Sequence, residues 1–303
     1  MENEKIVRLK SIYNLIDSFG STIRNEIEKG IIKKIEFFAE GKMQIVLSEE
    51  HNNLRMILNS NDFEEVPYAI LANGDFEKDE TKMIRKIVSL LPNDMVCFDI
   101  GANVGWYTLH VLKERSDAKV YSFEPGPLTF ERLISNMKVN NFLTDNCINV
   151  GFFNSEGTMD FYYDPNGSGA SSMVNLRNKD NVQKLTVAVS TIDSWIDEQK
   201  IDRLDFIKCD VEGSELFVYQ GGMESIKKFK PIVFSEMLRK WAAKFGYHPN
   251  DIIELYRNMN YGCYVITEDE RLKEVLEVTE DTLETNYFFI HKEKHEAIIR
   301  ALT

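Results

Sequence analysis

Asp99-Ile100-Gly101-Ala102-Asn103-Val104-Gly105 follows an apolar stretch at 95–100 and runs directly into Trp106-Tyr107-Thr108-Leu109, where the apolar spacing turns helical. A strand that passes through a loop of small residues into a helix is the opening unit of a doubly wound α/β sheet. Outward toward the carboxyl end, strand and helix keep alternating. Residues 119–123 read as a strand, 127–139 as a helix with Pro127 in its first turn, and 148–153 as a third strand. Residues 204–209 are a fourth strand, 214–229 a helix and 232–235 a fifth strand. β-rich pieces at 158–163 and 185–189 flank a polar loop at 164–180, within which residues 167–172 have the composition of a substrate lid. Residues 264–267 and 287–291 are expected as a closing antiparallel pair, joined by a charged connection of helical and loop character. The expected fold class is α/β: a doubly wound, mostly parallel, Rossmann-like sheet.

Toward the amino end the period changes. Residues 1–30 place Ile6, Leu9, Ile12, Tyr13, Leu15, Ile16 and Phe19 among charges at helical spacing, which predicts one long amphipathic helix or a helical pair. Residues 34–38 and 43–47 alternate around Glu40-Gly41, the pattern of a hairpin, and the stretch to about residue 82 reads as loop and short strand. Residues 1–75 are therefore expected to form a helix-and-hairpin appendage and residues 76–303 the main domain. The helix is most simply packed on that domain; its alternative roles are an acceptor-site cap or a homodimer contact.

Composition narrows the function classes. The net charge of −13 over 303 residues repels a polyphosphate backbone, so nucleic acid is excluded as a bulk partner. Cys97, Cys147, Cys209 and Cys263 lie far apart, without metal or redox spacing, and read as apolar fillers in a reducing compartment. The charged amino end has no apolar signal core behind it, and no apolar stretch is long enough to span a bilayer, so a cytoplasmic location is expected.

The chemistry gathers beyond the carboxyl ends of the strands, where an open α/β sheet binds ligands. Small residues in the loop admit close backbone approach, and the helix start offers free N–H groups to an anionic group. After the second strand comes Ser122-Phe123-Glu124-Pro125, and an acid there is placed to accept both ribose hydroxyls of an adenosine-containing ligand. A nicotinamide dinucleotide is the rival, but its G-x-G-x-x-G spacing is replaced here by D-x-G-x-x-x-G, with Asn103 at the second close-approach position. Asp99 ahead of the loop can orient an ammonium or a water, which favours S-adenosylmethionine. A non-catalytic adenosine-ligand scaffold is the third reading.

With these motifs in order, the chain resembles the FkbM family of S-adenosylmethionine-dependent methyltransferases over residues 74–236. The matching residues are 99–108, then Phe123-Glu124-Pro125 with Pro127 and Phe130, Asn136, Asn140, Ser171-Ser172, Thr191-Ile192-Asp193 and Ile207-Lys208-Cys209-Asp210-Val211-Glu212-Gly213-Ser214-Glu215. Cys209 stands where the family usually has an aliphatic residue, and Gly221-Gly222 where Gly-Ala is common. The resemblance implies a class I methyltransferase fold and methyl transfer to an oxygen of a sugar, glycan, polyketide or related small-molecule acceptor. It implies that Asp99, Gly101, Ala102, Asn103 and Gly105 hold the methionine part of the donor and that Glu124, with Pro125, holds the ribose. Gly151 and Phe152 would border the adenine, Tyr107 and Thr108 would reach the donor carboxylate, and Asp210 would adjoin the donor.

Methyl transfer from a sulfonium is an in-line displacement, so the protein has to align an acceptor hydroxyl and help remove its proton. Asp210 and Glu212 follow the fourth strand and Glu236 ends the fifth, which puts these acids in one crevice as candidate catalytic residues; Asp210 or Glu212 is the expected base. Their oxygens also suit Mg²⁺, by analogy with metal-dependent members of the wider fold class, but no metal ligand set is assigned. Glu215 is expected as a solvated acid in a first helical turn. The histidines His51, His110, His248, His291 and His295 show no metal spacing, although His248, near Trp241 and Tyr247, is placed to line an acceptor entrance. The aromatic run Phe152, Phe153, Phe161, Tyr162, Tyr163 reads as core.

Overall fold

The computed structural model describes residues 10, 30–38, 42–59, 62–164, 167, 169, 171–178, 180 and 182–303, and the chain divides into two units, Met1–Phe76 and Glu77–Thr303. In the first unit β1 (Ile32–Phe37), β2 (Met43–Leu47) and β3 (Arg55–Leu58) make an antiparallel sheet in that order. Helix α1 (Val66–Asn73) carries Pro67 in its first turn and stops at Gly74. Apart from Lys10, the amino-terminal helix expected over residues 1–30 lies outside the described residues up to Gly30.

The second unit opens with α2 (Lys78–Leu90). There follow β4 (Val96–Ile100), α3 (Trp106–Glu114), β5 (Lys119–Phe123), α4 (Pro127–Val139), β6 (Cys147–Ile148), β7 (Gly151–Phe152), β8 (Gly157–Tyr163) and β9 (Gln183–Ser190). The chain continues through α5 (Ile192–Glu198), β10 (Phe206–Cys209), α6 (Glu215–Gln220), α7 (Met223–Phe229) and β11 (Ile232–Glu236). It ends with α8 (Arg239–Ala242), α9 (Pro249–Arg257), β12 (Tyr261–Ile266), β13 (Leu272–Val275), β14 (Asn286–His291) and α10 (Glu296–Leu302). The main sheet has the order β13-β12-β14-β11-β10-β4-β5-β6. Its five strands β11, β10, β4, β5 and β6 are parallel, and β14 closes antiparallel on β11 and β12. The chain leaves β4 to build β5 and β6 on one side and returns to β10 on the other. The loop after β4 therefore stands at the point where the strand order reverses.

Alternation along the strands sorts the chemistry. Phe98, Ile100, Ile207, Cys209 and Val233 belong to one apolar core, together with Val218 and Tyr219 of α6 and Ile252 and Tyr256 of α9. Between them, Asp99 pairs across the sheet with Lys208 on β10 and Ser122 on β5, so three polar side chains line up on the opposite face. Thr108 of α3 meets two of them: its hydroxyl donates to Asp99 at 2.6 Å and lies 2.7 Å from the Ser122 hydroxyl.

Three expectations are corrected. The third strand does not run through 148–153; it splits into β6 of the main sheet and β7 of a small sheet ordered β7-β9-β8. The Asn149 side chain turns back to donate to the carbonyls of Glu124 and Pro125, at 2.8 and 3.1 Å, and so breaks the ladder. The helix expected over 214–229 is two helices, broken where Gly222 leaves the helical conformation at φ −125°; the close approach of the Phe153 carbonyl and Ile192 leaves no room for a side chain at Gly221 or Gly222. The connection between the two closing strands carries a further strand, β13, and no helix.

Candidate active site

Gly101 adopts φ +72°, and a Cβ there would run into the Asp210 backbone carbonyl, so the β4 and β10 loops touch backbone to backbone. Only a glycine combines that left-handed conformation with that close approach. The amides of Gly101 and Ala102 both donate to the Phe123 carbonyl at 2.9 Å, which ties the loop to the end of β5. Asn136 on α4 reaches the Val104 carbonyl at 2.8 Å and holds the loop from behind.

These ties shape a cleft beyond the carboxyl ends of β4 and β10. Gly101, Asn103, Glu124, Pro125, Gly151, Phe152, Asp210 and Glu212 line it, joined by Val150, Phe161, Gly169, Ser171, Met173 and Ser214 among others. Of the remaining donor-side expectations, Asp99, Ala102, Gly105, Tyr107 and Thr108 lie behind this wall. Asp99, 2% exposed, accepts from the Thr108 amide at 3.0 Å, so it caps the start of α3 from the neighbouring strand. Thr108 is thereby committed to Asp99 and Ser122, and the Tyr107 hydroxyl donates to Glu77.

Glu124 is 6% exposed, and its two oxygens accept from the amides of Gly126 and Asn103 at 2.8 and 3.0 Å. Burial pushes its carboxyl up to about 7, against the downward pull of those amides. A carboxylate has four lone-pair sites, so two remain for hydroxyls presented from the cleft. Asn103 Oδ1, Asp210 Oδ1 and Glu212 Oε2 are buried oxygens of cleft-lining residues with no hydrogen-bond partner among the described residues. Buried acceptors without partners are rare, and three around one cleft mark a wall built to receive polar groups.

On the far side, Asp210, Glu212 and Glu236 bring one carboxylate oxygen each to within 4.8 Å of one another. That spacing could hold a cation. Burial, and then the proximity of Asp210, push both Glu212 and Glu236 well above the ordinary carboxylate range. Glu236 stands at the end of β11 and completes the cluster without lining the cleft itself. Glu77 approaches the same acids, and burial pushes it up to about 7.

Glu215 is not a solvated acid. It is 2% exposed, accepts from the Val211 and Gly213 amides at 3.1 and 3.0 Å and from the Tyr247 hydroxyl at 3.0 Å, and thus braces the turn that carries Asp210 and Glu212. His248 caps α9 and lines a separate groove with Met237, Arg239 and Thr285. Sequence reasoning also passed over Lys208, whose ammonium donates to the Gly101 carbonyl at 2.6 Å. Its signal was a lone charge inside the apolar strand Phe206-Ile207-Lys208-Cys209.

Strand order, the glycine loop at the switch point and the acid ending the second strand together make a doubly wound α/β fold with its ligand crevice at the switch point. The methyltransferase FkbM domain model matches residues 99–263, and the chain belongs to that family. Methyltransferase sdnD of Sordaria araneosa is 28% identical over 162 residues, covering 44% of this chain and 62% of that protein. The 2-O-methyltransferase NoeI of Sinorhizobium fredii is 30% identical over 162 residues, covering 48% of this chain and 65% of that protein. The hexuronic acid methyltransferase AglP of Haloferax volcanii is 23% identical over 176 residues, covering 58% of this chain and 67% of that protein. The match thus spans less than two thirds of the length of the first two relatives. Among the described residues no helix is long and apolar enough to cross a membrane.

Proposed function

We propose that this chain is an S-adenosylmethionine-dependent O-methyltransferase acting on a hydroxyl of a sugar, glycan or secondary metabolite. The observation that carries the reading is a single cleft with a two-amide-braced Glu124 on one wall and Asp210 and Glu212 on the other. The names of NoeI, a 2-O-methyltransferase, and AglP, a hexuronic acid methyltransferase, support oxygen as the acceptor atom and a carbohydrate as its carrier.

Glu124 would accept the ribose hydroxyls, and Gly151 and Phe152 would border the adenine. Asn103 Oδ1 is free to accept from the ammonium of the amino-acid end. The donor supplies a methyl group on a sulfonium. As the acceptor oxygen forms its bond to that methyl carbon and the carbon–sulfur bond breaks, the hydroxyl proton has to leave, and we assign its acceptance to Asp210, which lines the cleft. Glu212 and Glu236, both pushed by burial toward the protonated form, each bring a carboxylate oxygen to within 4.8 Å of one of Asp210.

The test is calorimetric titration with S-adenosylhomocysteine beside NAD⁺. Micromolar binding of the first and none of the second is expected. NAD⁺ binding in its place, or no binding of either, would overturn the donor assignment.

A further inference from the structure

We propose that Lys208 is a positioning residue that couples the donor loop to the acid which takes the acceptor's proton, an inference that rests on the methyltransferase reading above. Its side chain is 4% exposed, and its ammonium stands between the two halves of the site. On the donor side it donates to the Gly101 carbonyl at 2.6 Å and lies 3.6 Å from Asp99 Oδ1. On the acceptor side it lies 3.6 Å from Asp210 Oδ2. The Tyr107 ring, 5.7 Å away at its centroid, covers it with a π face.

An ammonium taken out of water is costly, and a buried ion pair is poor stabilisation compared with apolar packing in the same space. What the arrangement provides is geometry. Gly101 is fixed through its amide by Phe123 and through its carbonyl by Lys208, so the loop that faces the cleft is gripped from both neighbouring strands. The same ammonium orients the Asp210 carboxylate, whose other oxygen is buried without a partner. The groups that face Lys208 are acidic: Asp99 from β4, Asp210 beyond its own strand and Glu77 ahead of α2, with Glu124 and Glu212 further out. Burial works to release its proton, but Asp210, Asp99 and Glu77 hold it well above the ordinary lysine range, so it stays a cation.

A charge in that place treats the two forms of the donor differently. S-adenosylmethionine carries a sulfonium and S-adenosylhomocysteine does not, so a cation beside Asp210 weakens the first relative to the second. Lys208→Met should lower S-adenosylhomocysteine affinity about tenfold through the loosened loop. It should lower S-adenosylmethionine affinity much less, shifting the ratio of the two dissociation constants by on the order of tenfold. Asp210→Asn should move that ratio the opposite way, which keeps the inference testable if the methionine variant does not fold. Equal losses for both ligands in Lys208→Met would reduce Lys208 to a packing role, and an unchanged ratio in Asp210→Asn would remove the coupling. Wild-type protein that binds neither ligand would sink the donor reading first, and this inference with it.

Discussion

Glu124→Gln exchanges a single oxygen for nitrogen in the wall of the cleft. In the wild type the Gly126 and Asn103 amides each occupy one carboxylate oxygen, at 2.8 and 3.0 Å, which leaves one lone pair on each for a ribose hydroxyl. A hydrogen bond to a charged acceptor contributes about 1.5–3 kcal/mol. Glutamine keeps one neutral acceptor and turns its NH₂ toward a backbone amide, so the expected loss is about 2–3 kcal/mol, or roughly 30- to 150-fold in Kd. The pH dependence carries the same argument. Because the buried carboxyl titrates at about 7, wild-type affinity should fall as the pH drops through that value, while the variant has no proton to gain there. The assay is calorimetric titration with S-adenosylhomocysteine at pH 8.5, 7 and 6, with a thermal melt of each sample. A Kd within about threefold of wild type at pH 8.5, or a gap that does not narrow toward pH 6, would refute the ribose role.

Gly101→Ala meets both a left-handed backbone and the Asp210 carbonyl, so it should cost more than about 2 kcal/mol in a urea titration and abolish S-adenosylhomocysteine binding; a stable, binding-competent variant would show that the loop can move. Asp210→Asn should keep S-adenosylhomocysteine affinity within about threefold while turnover of any hydroxyl the wild type methylates falls about 100-fold or more; unchanged turnover takes Asp210 out of the proton-accepting role. Chelation with EDTA should leave S-adenosylhomocysteine affinity unchanged if the donor sits, as proposed, against Asn103 and Glu124; a drop in affinity would place a metal in that half. Glu77, Glu124 and Glu215, each pushed by burial up to about 7, stabilise the fold most below the unfolded carboxylate range near 4.5 and lose that contribution as the pH rises through 7. His295, pushed by burial down to about 4, acts the other way only below about 6.5, so urea midpoints of ligand-free protein should fall between pH 6.5 and 8.5; a rise would contradict the burial of these acids.

The central strands were legible because apolar runs such as Val96–Ile100 and Ile232–Glu236 are bounded by turns and helical periods. Helix α2 was not, since Lys78, Asp79, Glu80, Lys82, Arg85 and Lys86 mask the apolar side formed by Met83, Ile84, Ile87 and Val88. The break between β6 and β7 depends on where the Asn149 amide finds its partners, which are residues brought close only by the sheet. At the site, the loop and Glu124 could be read because each lies at a strand end. Asp99 and Thr108 lie in the same motif, yet they turn inward: register sets Asp99 opposite Lys208, on the face that α3 covers. Glu215 misled for a similar reason, because a first-turn acid appears solvated until Tyr247 arrives from 32 residues further along the chain.

The location of the buried charge separates what the fold needs from what the site needs. Asp99, Glu124, Lys208 and Glu215 are all nearly inaccessible, and all sit at or just beyond the carboxyl ends of β4, β5 and β10. A sheet selected for stability alone would carry apolar side chains there, as it does one residue away at Phe98, Ile100, Ile207 and Cys209. The two sets interleave along the same strands, so the departure follows the face and not the strand. One face of β4 and β10 keeps the core; the other holds Asp99 and Lys208, and Lys208 ties the glycine loop to Asp210. Substitutions on the first face should therefore cost stability without changing ligand preference, whereas those on the second should change which ligand is held before they unfold the chain.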